Sequence, residues 1–300
     1  MNGAVAARFP DGRLHLQHGP IDVVVECWGT SAEVERAYAQ AAARFCSVLP
    51  ELVGELPRLR RPVGAQYPLL RGSVARRMAA AAWPHRDVFI TPMVAVAGAV
   101  ADELMAALLD GRRLRKACVN DGGDIALHMA AGEAMEIAIV EDLSRPAVGA
   151  TVRVQAPLPV RGVATSGWRG RSQSLGIADA VTVLARTAAE ADAAATMIAN
   201  AVIVDHPAIQ RLPAREVKED SDLGDLPVTV SVGPLPERER AAALRSGAAR
   251  AEALRSRGLI HAAYLSLQGQ ALACPAALDL KLPDLKLLDL KLSASILGRA

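Results

Sequence analysis

Aromatic rings are scarce in this chain: Phe, Trp and Tyr together make up 3% of its 300 residues. A stacking platform for single-stranded nucleic acid needs such rings in series, so the composition speaks against that class. Half of the residues are nonetheless hydrophobic, drawn chiefly from Ala, Val and Leu, which suits a helix-rich globular enzyme with a sizeable core in one or two α/β lobes. An excess of charge of one sign is missing as well. A formal net charge of +2 implies neither a basic nucleic-acid face nor an acidic tail, and Arg58, Arg60, Arg61, Arg76 and Arg77 read as solvated surface. The cysteines Cys27, Cys46, Cys118 and Cys274 form no C-x-x-C pair, which removes a zinc ribbon and a thioredoxin-type site and leaves reduced, mostly buried thiols. No charged leader with a long apolar stretch opens the sequence, and the best apolar run, Met93 to Ala101, stops at Asp102 and Glu103. A soluble, cytoplasmic protein without membrane or nucleic-acid partners is expected.

What is present is a meander of short strands with helices between them. Leu14 and Leu16 alternate with polar neighbours, a turn falls at His18-Gly19-Pro20, and Ile21 to Val25 resumes the strand pattern, predicting a hairpin. Thr30-Ser31-Ala32-Glu33 has capping-box spacing and opens a helix to about Leu52, after which the prolines and arginines of residues 54–71 predict a connecting loop. Residues 92–109 are small and apolar nearly all round, as in a helix sandwiched inside the fold. Further strands are expected near 135–140, 151–155, 162–164, 180–184 and 228–232, and helices at 188–202 and 237–257. Asp-Leu-Lys-Leu recurs at 279, 284 and 289 in a low-complexity tail, 278–300, to which no chemistry is assigned. The strand–helix–strand rhythm of a doubly wound parallel sheet is missing, so an α+β fold with mixed or antiparallel sheets packed by helices is predicted. The domain runs over 1–277, with room for two lobes.

Three segments carry potential chemistry. In Asn120-Asp121-Gly122-Gly123-Asp124-Ile125, adjacent glycines admit a ligand to the backbone and carboxylates flank them, although a hairpin needs such a turn for steric reasons alone. In Gly162 to Arg171, the hydroxyls of Thr165 and Ser166, the amide of Gly167 and the guanidiniums of Arg169 and Arg171 suit a diphosphate, or simply solvent. In Glu190 to Thr196, Asp192 and Thr196 share a helix face and offer two oxygens to a hard cation; the plainer alternative makes Asp192 a helix cap and Thr196 a packing residue. His128, His206 and the Asp220, Asp222, Asp225 group are weaker signals, read as solvated or satisfied histidines and as turn and cap residues.

Taken in order, Gly-Gly-Asp-Ile, Ala-Thr-Ser-Gly and Ala-Asp-Ala-x-x-Thr resemble the C-terminal half of the ApbE-like proteins, the superfamily of the magnesium-dependent FAD:protein FMN transferases. The resemblance covers about residues 92–202 and implies a T-fold-related α+β architecture. It also implies that Gly122, Gly123, Thr165, Ser166, Gly167, Arg169 and Arg171 contribute to a flavin nucleotide site. Asp192 and Thr196 become Mg²⁺ ligands by the same resemblance, with the backbone carbonyl of Ala97 as a third. Ala97 stands where the family's Lys-Gly-x-x-x-Asp segment has its lysine, while Gly98 and Asp102 are retained. The family's lipoprotein signal, its His-Ile-x-Asp-Pro stretch and its N-terminal FAD contacts have no counterpart. Thr-Pro-Met-Val-Ala-Val-Ala-Gly-Ala-Val-Ala-Asp at 91–102, Ala-Asn-Ala-Val at 199–202 and Ser-Asp-Leu-Gly-Asp at 221–225 resemble an ApbE-related family of prokaryotic proteins.

The resemblance implies an FMN transferase-like enzyme using FAD and Mg²⁺, with a protein hydroxyl as acceptor and Asp124 or His128 as its base. Two other readings stand beside it: an enzyme acting on another coenzyme precursor such as a pterin, and a non-catalytic flavin- or nucleotide-binding module, a homodimer through its Ala-rich helices.

Overall fold

The computed structural model describes residues 3–140, 148–170, 172–275 and 280–281. The strands are β1 (Val5–Arg8), β2 (Leu14–His18), β3 (Ile21–Trp28), β4 (Lys116–Asp121), β5 (Asp124–Met129), β6 (Ala134–Val140), β7 (Val148–Gln155), β8 (Gly162–Ser166), β9 (Ala180–Ala185), β10 (Ile209–Pro213), β11 (Pro227–Val232), β12 (Ala262–Leu267) and β13 (Gln270–Cys274). The helices are α1 (Ser31–Leu59), α2 (Ser73–Ala82), α3 (Val96–Leu109), α4 (Ala188–Ala201), α5 (Ala214–Val217) and α6 (Glu237–Ser256). This is the α+β class expected from the strand meander, and the pairs β1–β2, β2–β3, β3–β4, β4–β5, β5–β8, β9–β12, β12–β13 and β10–β11 are all antiparallel. The chain divides into two compact units, Met1–Met135 with Gln155–Ala164 and Ala185–Ala193, and Glu136–Val154 with Thr165–Leu184 and Ala194–Ala300.

In the first unit the strands run in the order β1-β2-β3-β4-β5-β8. Period-two alternation puts Leu14, Leu16, Val23, Val25, Ala117, Val119 and Ala126 into one core with the apolar faces of α1, α2 and α3. The capping signal at Thr30 holds: its side chain accepts from the Glu33 N–H and α1 begins at Ser31. The expected stop near Leu52 does not. The helix continues through Pro50 and Pro57 to Leu59, so the connecting loop begins later than residue 54. An interior proline costs about 3 kcal/mol, but seven buried side chains along α1, with Phe45 and Leu59 almost wholly inaccessible, offset that cost at about 2 kcal/mol per large apolar side chain.

Helix α2, which follows the proline- and arginine-rich stretch, was not expected from the sequence, and its Arg77 is not mere solvated surface. Arg77 Nε donates to Glu103 at 3.0 Å, and the same carboxylate accepts from Arg44 Nε at 2.9 Å and from the Ser73 hydroxyl. Burial alone would raise the Glu103 carboxyl, but these three donors outweigh it and hold it below its ordinary value. Its stabilisation is therefore present at neutral pH and is lost as the pH falls below 4.5 and through the depressed folded value. Arg44 also has Glu51, and Arg77 is partly exposed, so Glu103→Gln should cost less than a fully buried pair would, about 2 kcal/mol. A urea midpoint lowered at unchanged slope, with the difference shrinking at acid pH, is the expected observation; an unchanged midpoint at pH 7 would refute it.

In the second unit β9, β12 and β13 are neighbours, every residue of β9 and β12 is buried, and α6 brings Gly247 so close to Val202 that a Cβ would lie 2.4 Å from a Val202 methyl. Strands β10 and β11 form a separate two-stranded ribbon with a bulge at Gln210/Arg211. Strands β10, β12 and β13 were not expected from the sequence; β12, buried on both faces, lacks the polar alternation that marks a half-exposed strand. The expected strands near 135–140, 151–155, 162–164, 180–184 and 228–232 and the helices at 188–202 and 237–257 are all present within a few residues. Of the cysteines, Cys274 is buried and Cys27 and Cys118 partly so, but Cys46 is exposed on α1. Pro92–Leu109 is long and apolar enough by composition to cross a membrane, yet 56% of it is buried, as the small-residue pattern of a sandwiched helix predicts. Most of the low-complexity tail lies outside the described residues.

Candidate functional site

Two residues one turn apart on α3 hold the start of α4. At Gly98 an added Cβ would sit 2.4 Å from the Ala188 carbonyl oxygen, so only glycine lets the two backbones approach this closely. At Asp102 the two carboxylate oxygens accept the Ala188 and Ala189 N–H groups at 3.0 and 2.9 Å, satisfying two of the donors a helix start leaves orphaned. Thr187 Oγ1 takes the Glu190 N–H at 3.1 Å. Asp192 is therefore not the cap of this helix. It lies in the second turn, and its Oδ2 accepts the Gly98 N–H at 3.1 Å.

The field around Asp192 is negative. Burial comes first and the carboxylate of Asp124 second in pushing its carboxyl well above the ordinary aspartate value, with Asp121 and Asp102 adding to the push and the Gly98 N–H opposing it. Asp102 is itself raised, chiefly by burial, against the pull of its two backbone donors. A partly buried carboxylate with one oriented oxygen and other carboxylates nearby gains from a hard cation more than from any neutral partner. Among the described residues no three His, Cys, Asp or Glu side chains come together as a metal cluster. Thr196 follows Asp192 by one turn of α4.

Ala97 belongs to the first turn of α3, and the peptide that joins it to Gly98 offers its N–H to Asp192.

The glycine turn is as tight as its residues require. Asp121 and Asp124 pair directly, Gly122 and Gly123 take φ values of 65° and 110°, and the Gly123 N–H donates to Asn120 Oδ1 at 2.8 Å. The two residues expected to supply a base are separated. His128 stands four residues beyond Asp124 on β5, roughly 13 Å along a strand, and its Nε2 lies 3.2 Å from the Leu114 carbonyl oxygen. That contact makes Nε2 the donor and ties the ring to the backbone.

In the second unit the Thr-Ser-Gly loop is shaped by contacts of its own. Thr165 and Thr182 hydroxyls meet at 2.8 Å, and Thr196 Oγ1 reaches Ser166 Oγ at a long 3.4 Å. Gly167 passes so near Asp179 that a Cβ would be 2.3 Å from its carbonyl oxygen. Asp179 Oδ1 accepts from Trp168 Nε1 at 3.2 Å and from Arg169 Nε at 3.0 Å, with the Arg169 guanidinium 5.0 Å from the Trp168 ring centre. Arg169 is thus an anchored side chain rather than a purely solvated one. Sequence reading missed Asp179, because nothing local marks it; only the return of the chain into β9 brings it beside the loop. Arg171 lies outside the described residues. Asn200 Oδ1 accepts the Leu175 N–H at 2.9 Å, His206 Nδ1 accepts the Ala208 N–H at 3.1 Å within a turn, and Asp225 pairs with Arg215 at 2.9 Å on the surface.

A separate open cleft of about 500 Å³ in the first unit is walled by Arg8, Arg13, Glu26, Glu35 and Tyr38 among others and contains none of the predicted site residues. Its arginines are already matched, Arg8 with Glu35 and Arg13 with Asp11.

Antiparallel α+β architecture, the Gly-Gly-Asp turn, the Thr-Ser-Gly loop and the Asp and Thr of α4, in that order, define an ApbE-like protein. The family described as AbpE bacteria matches residues 6–273, and the chain belongs to that family. A UPF0280 protein of Methanopyrus kandleri is 36% identical over 204 residues, 65% of this chain and 77% of its own length. UPF0280 proteins of Methanothrix thermoacetophila and Methanosphaerula palustris are 37% and 40% identical over 39% and 43% of this chain; the match spans about half of each, 48% and 53%. The solved apo form of the Pseudomonas stutzeri flavinyl transferase ApbE matches over 90% of this chain and 94% of its own, at a TM-score of 0.41 and 15% identity.

Proposed function

We propose that the chain is a cytoplasmic, Mg²⁺-dependent enzyme acting on a flavin nucleotide, in the manner of an FAD:protein FMN transferase. The observation that carries this reading is Asp192: a carboxylate held against Gly98 N–H in a field of carboxylates, one turn before Thr196 on a helix whose start is fixed by Asp102. Asp192 and Thr196 would hold the cation. When bound, Mg²⁺ would neutralise diphosphate charge and so stabilise the charge that develops on a departing nucleotide. The glycines at 122 and 123 leave the β4–β5 turn without side chains, so a planar ligand meets backbone there. Thr165, Ser166, the Gly167 amide and Arg169 provide donors suited to phosphate oxygens.

In the transfer itself an acceptor hydroxyl oxygen forms a bond to the phosphorus that carries riboflavin, the diphosphate bridge breaks, and AMP leaves with the bridging oxygen. The hydroxyl proton needs a base. Of the two candidates Asp124 is the one placed beside the glycine turn, since His128 is engaged with the Leu114 carbonyl.

That engagement, and the replacement of the family's lysine by Ala97, favour one other reading: a module that binds a flavin nucleotide without transferring it. Calorimetry of the metal-stripped protein with FAD, with and without Mg²⁺, followed by chromatography for AMP, separates the two. Mg²⁺-enhanced binding with AMP release is the outcome expected of the enzyme. Stoichiometric FAD binding without AMP would convert the reading to the binding module, and no FAD binding at all would remove flavin from the proposal.

A further inference from the structure

We infer that Asp102 is a positioning residue for Asp192, acting through the first turn of α4 and not by touching the ion. This rests on the metal reading above and extends it to a residue outside the ligand set.

The contacts form a closed loop. Gly98 and Asp102 are four residues apart on α3 and so lie on one face of it. Asp102 grips α4 through the Ala188 and Ala189 N–H groups, and Gly98 meets Ala188 with no room for a methyl group. Asp192 follows Ala188 by one turn and returns to the Gly98 N–H. Each contact fixes the register of α4 along α3, and together they fix which way the Asp192 carboxylate faces. Take away the Asp102 carboxylate and the Ala188 and Ala189 N–H groups lose their acceptor, leaving the first turn of α4 only the Thr187 hydroxyl on the Glu190 N–H. The Gly98–Asp192 hydrogen bond then loses the two upstream contacts that tie the start of α4 to α3 by hydrogen bonding.

Asp102→Asn is nearly isosteric but has a single acceptor oxygen, and its amide donors would face N–H groups that are also donors. It should keep the fold and lose the alignment. An outer-shell partner of a metal ligand is worth about 10- to 100-fold in metal affinity, so Mg²⁺ binding by Asp102→Asn should weaken by about that factor. Glu103→Gln lies on the same helix and destabilises the first unit through a separate network, and it serves as the control for a merely structural effect.

The experiment is calorimetric titration of Mg²⁺ alone, without nucleotide, into the full chain well below its melting temperature, for the unaltered protein, Asp102→Asn and Glu103→Gln. The expected result is a tenfold or greater loss of affinity in Asp102→Asn with Glu103→Gln within twofold of the unaltered protein. Affinity within twofold in a folded Asp102→Asn, or an equal loss in Glu103→Gln, overturns the positioning role and leaves the metal reading standing. Absence of Mg²⁺ binding by the unaltered chain overturns the metal reading itself, and this inference with it. Should Asp102→Asn fail to fold, Asp102→Ser, whose hydroxyl still accepts one N–H, is read by the same criterion.

Discussion

Replacing Asp192 by asparagine is expected to make the metal-free protein more stable at neutral pH and at the same time to abolish its stabilisation by Mg²⁺. The folded-state carboxyl is raised, mainly by burial and then by Asp124. A raised value means that the folded chain holds the proton more tightly than the unfolded chain does. This favourable contribution is complete below the ordinary value of 3.8 and is lost as the pH rises through the folded value, so the carboxylate form opposes folding. Asparagine removes the charge and keeps an oxygen for the Gly98 N–H. In the unaltered protein, Mg²⁺ at 100 times its dissociation constant should contribute about 2.7 kcal/mol, a rise of roughly 5 °C or more in melting temperature for a chain of this size. Two thermal scans of each protein, with and without Mg²⁺, check both halves. A Mg²⁺ response retained by Asp192→Asn would remove this residue from the site, and a lower melting temperature of the metal-free variant would show that the carboxylate is not held at a cost.

The second large effect is steric, and its sign depends on position. Gly98→Ala should cost about 3 kcal/mol, at the upper end of overpacking penalties, because the new methyl meets Ala188 oxygen and carbon at 2.4 and 2.5 Å and Ala189 nitrogen at 2.7 Å. These are backbone atoms at a helix start and cannot turn aside as a side-chain tip can. The shift also pulls the Gly98 N–H from Asp192, so Mg²⁺ response should fall with stability. Gly54→Ala is the counter-case. It lies in the interior of α1 with no heavy atom within 4 Å of the added Cβ, so alanine should stabilise by about 0.5–1 kcal/mol. Chemical denaturation of the two variants should move the midpoints in opposite directions. A neutral Gly98→Ala would mean that α3 and α4 are not in close backbone contact.

These variants also show where sequence reading succeeds and where it runs out. The helix over 188–202 and the pairing of Asp192 with Thr196 on one face follow from periodicity alone, since i and i+4 share a face in any helix. The hairpin at Gly122-Gly123 follows from turn chemistry, because only glycine takes positive φ twice without penalty. By contrast, Asp192 read as an alternative helix cap because a sequence does not say which residue begins a helix when alanines precede it. The answer came from Asp102, 86 residues upstream of the first N–H it accepts. Arg77 read as surface for the same kind of reason: its partner Glu103 is distant in the chain. The extension of α1 past Pro50 and Pro57 was illegible because a local rule for proline contains no term for the burial of Leu59.

Local chemistry, then, is enough to decide the α+β class, most of the elements and the order of the three site segments, because alternation, capping and glycine turns act over a few residues and are written in consecutive letters. The protonation bias of Asp192, the anchoring of Arg169 by Asp179, the tethering of His128 and the hold of Asp192 on the Gly98 N–H belong to the tertiary structure. Each depends on a distance between groups that the sequence keeps apart, and electrostatic and steric energies of this kind exist only once the chain has closed those distances.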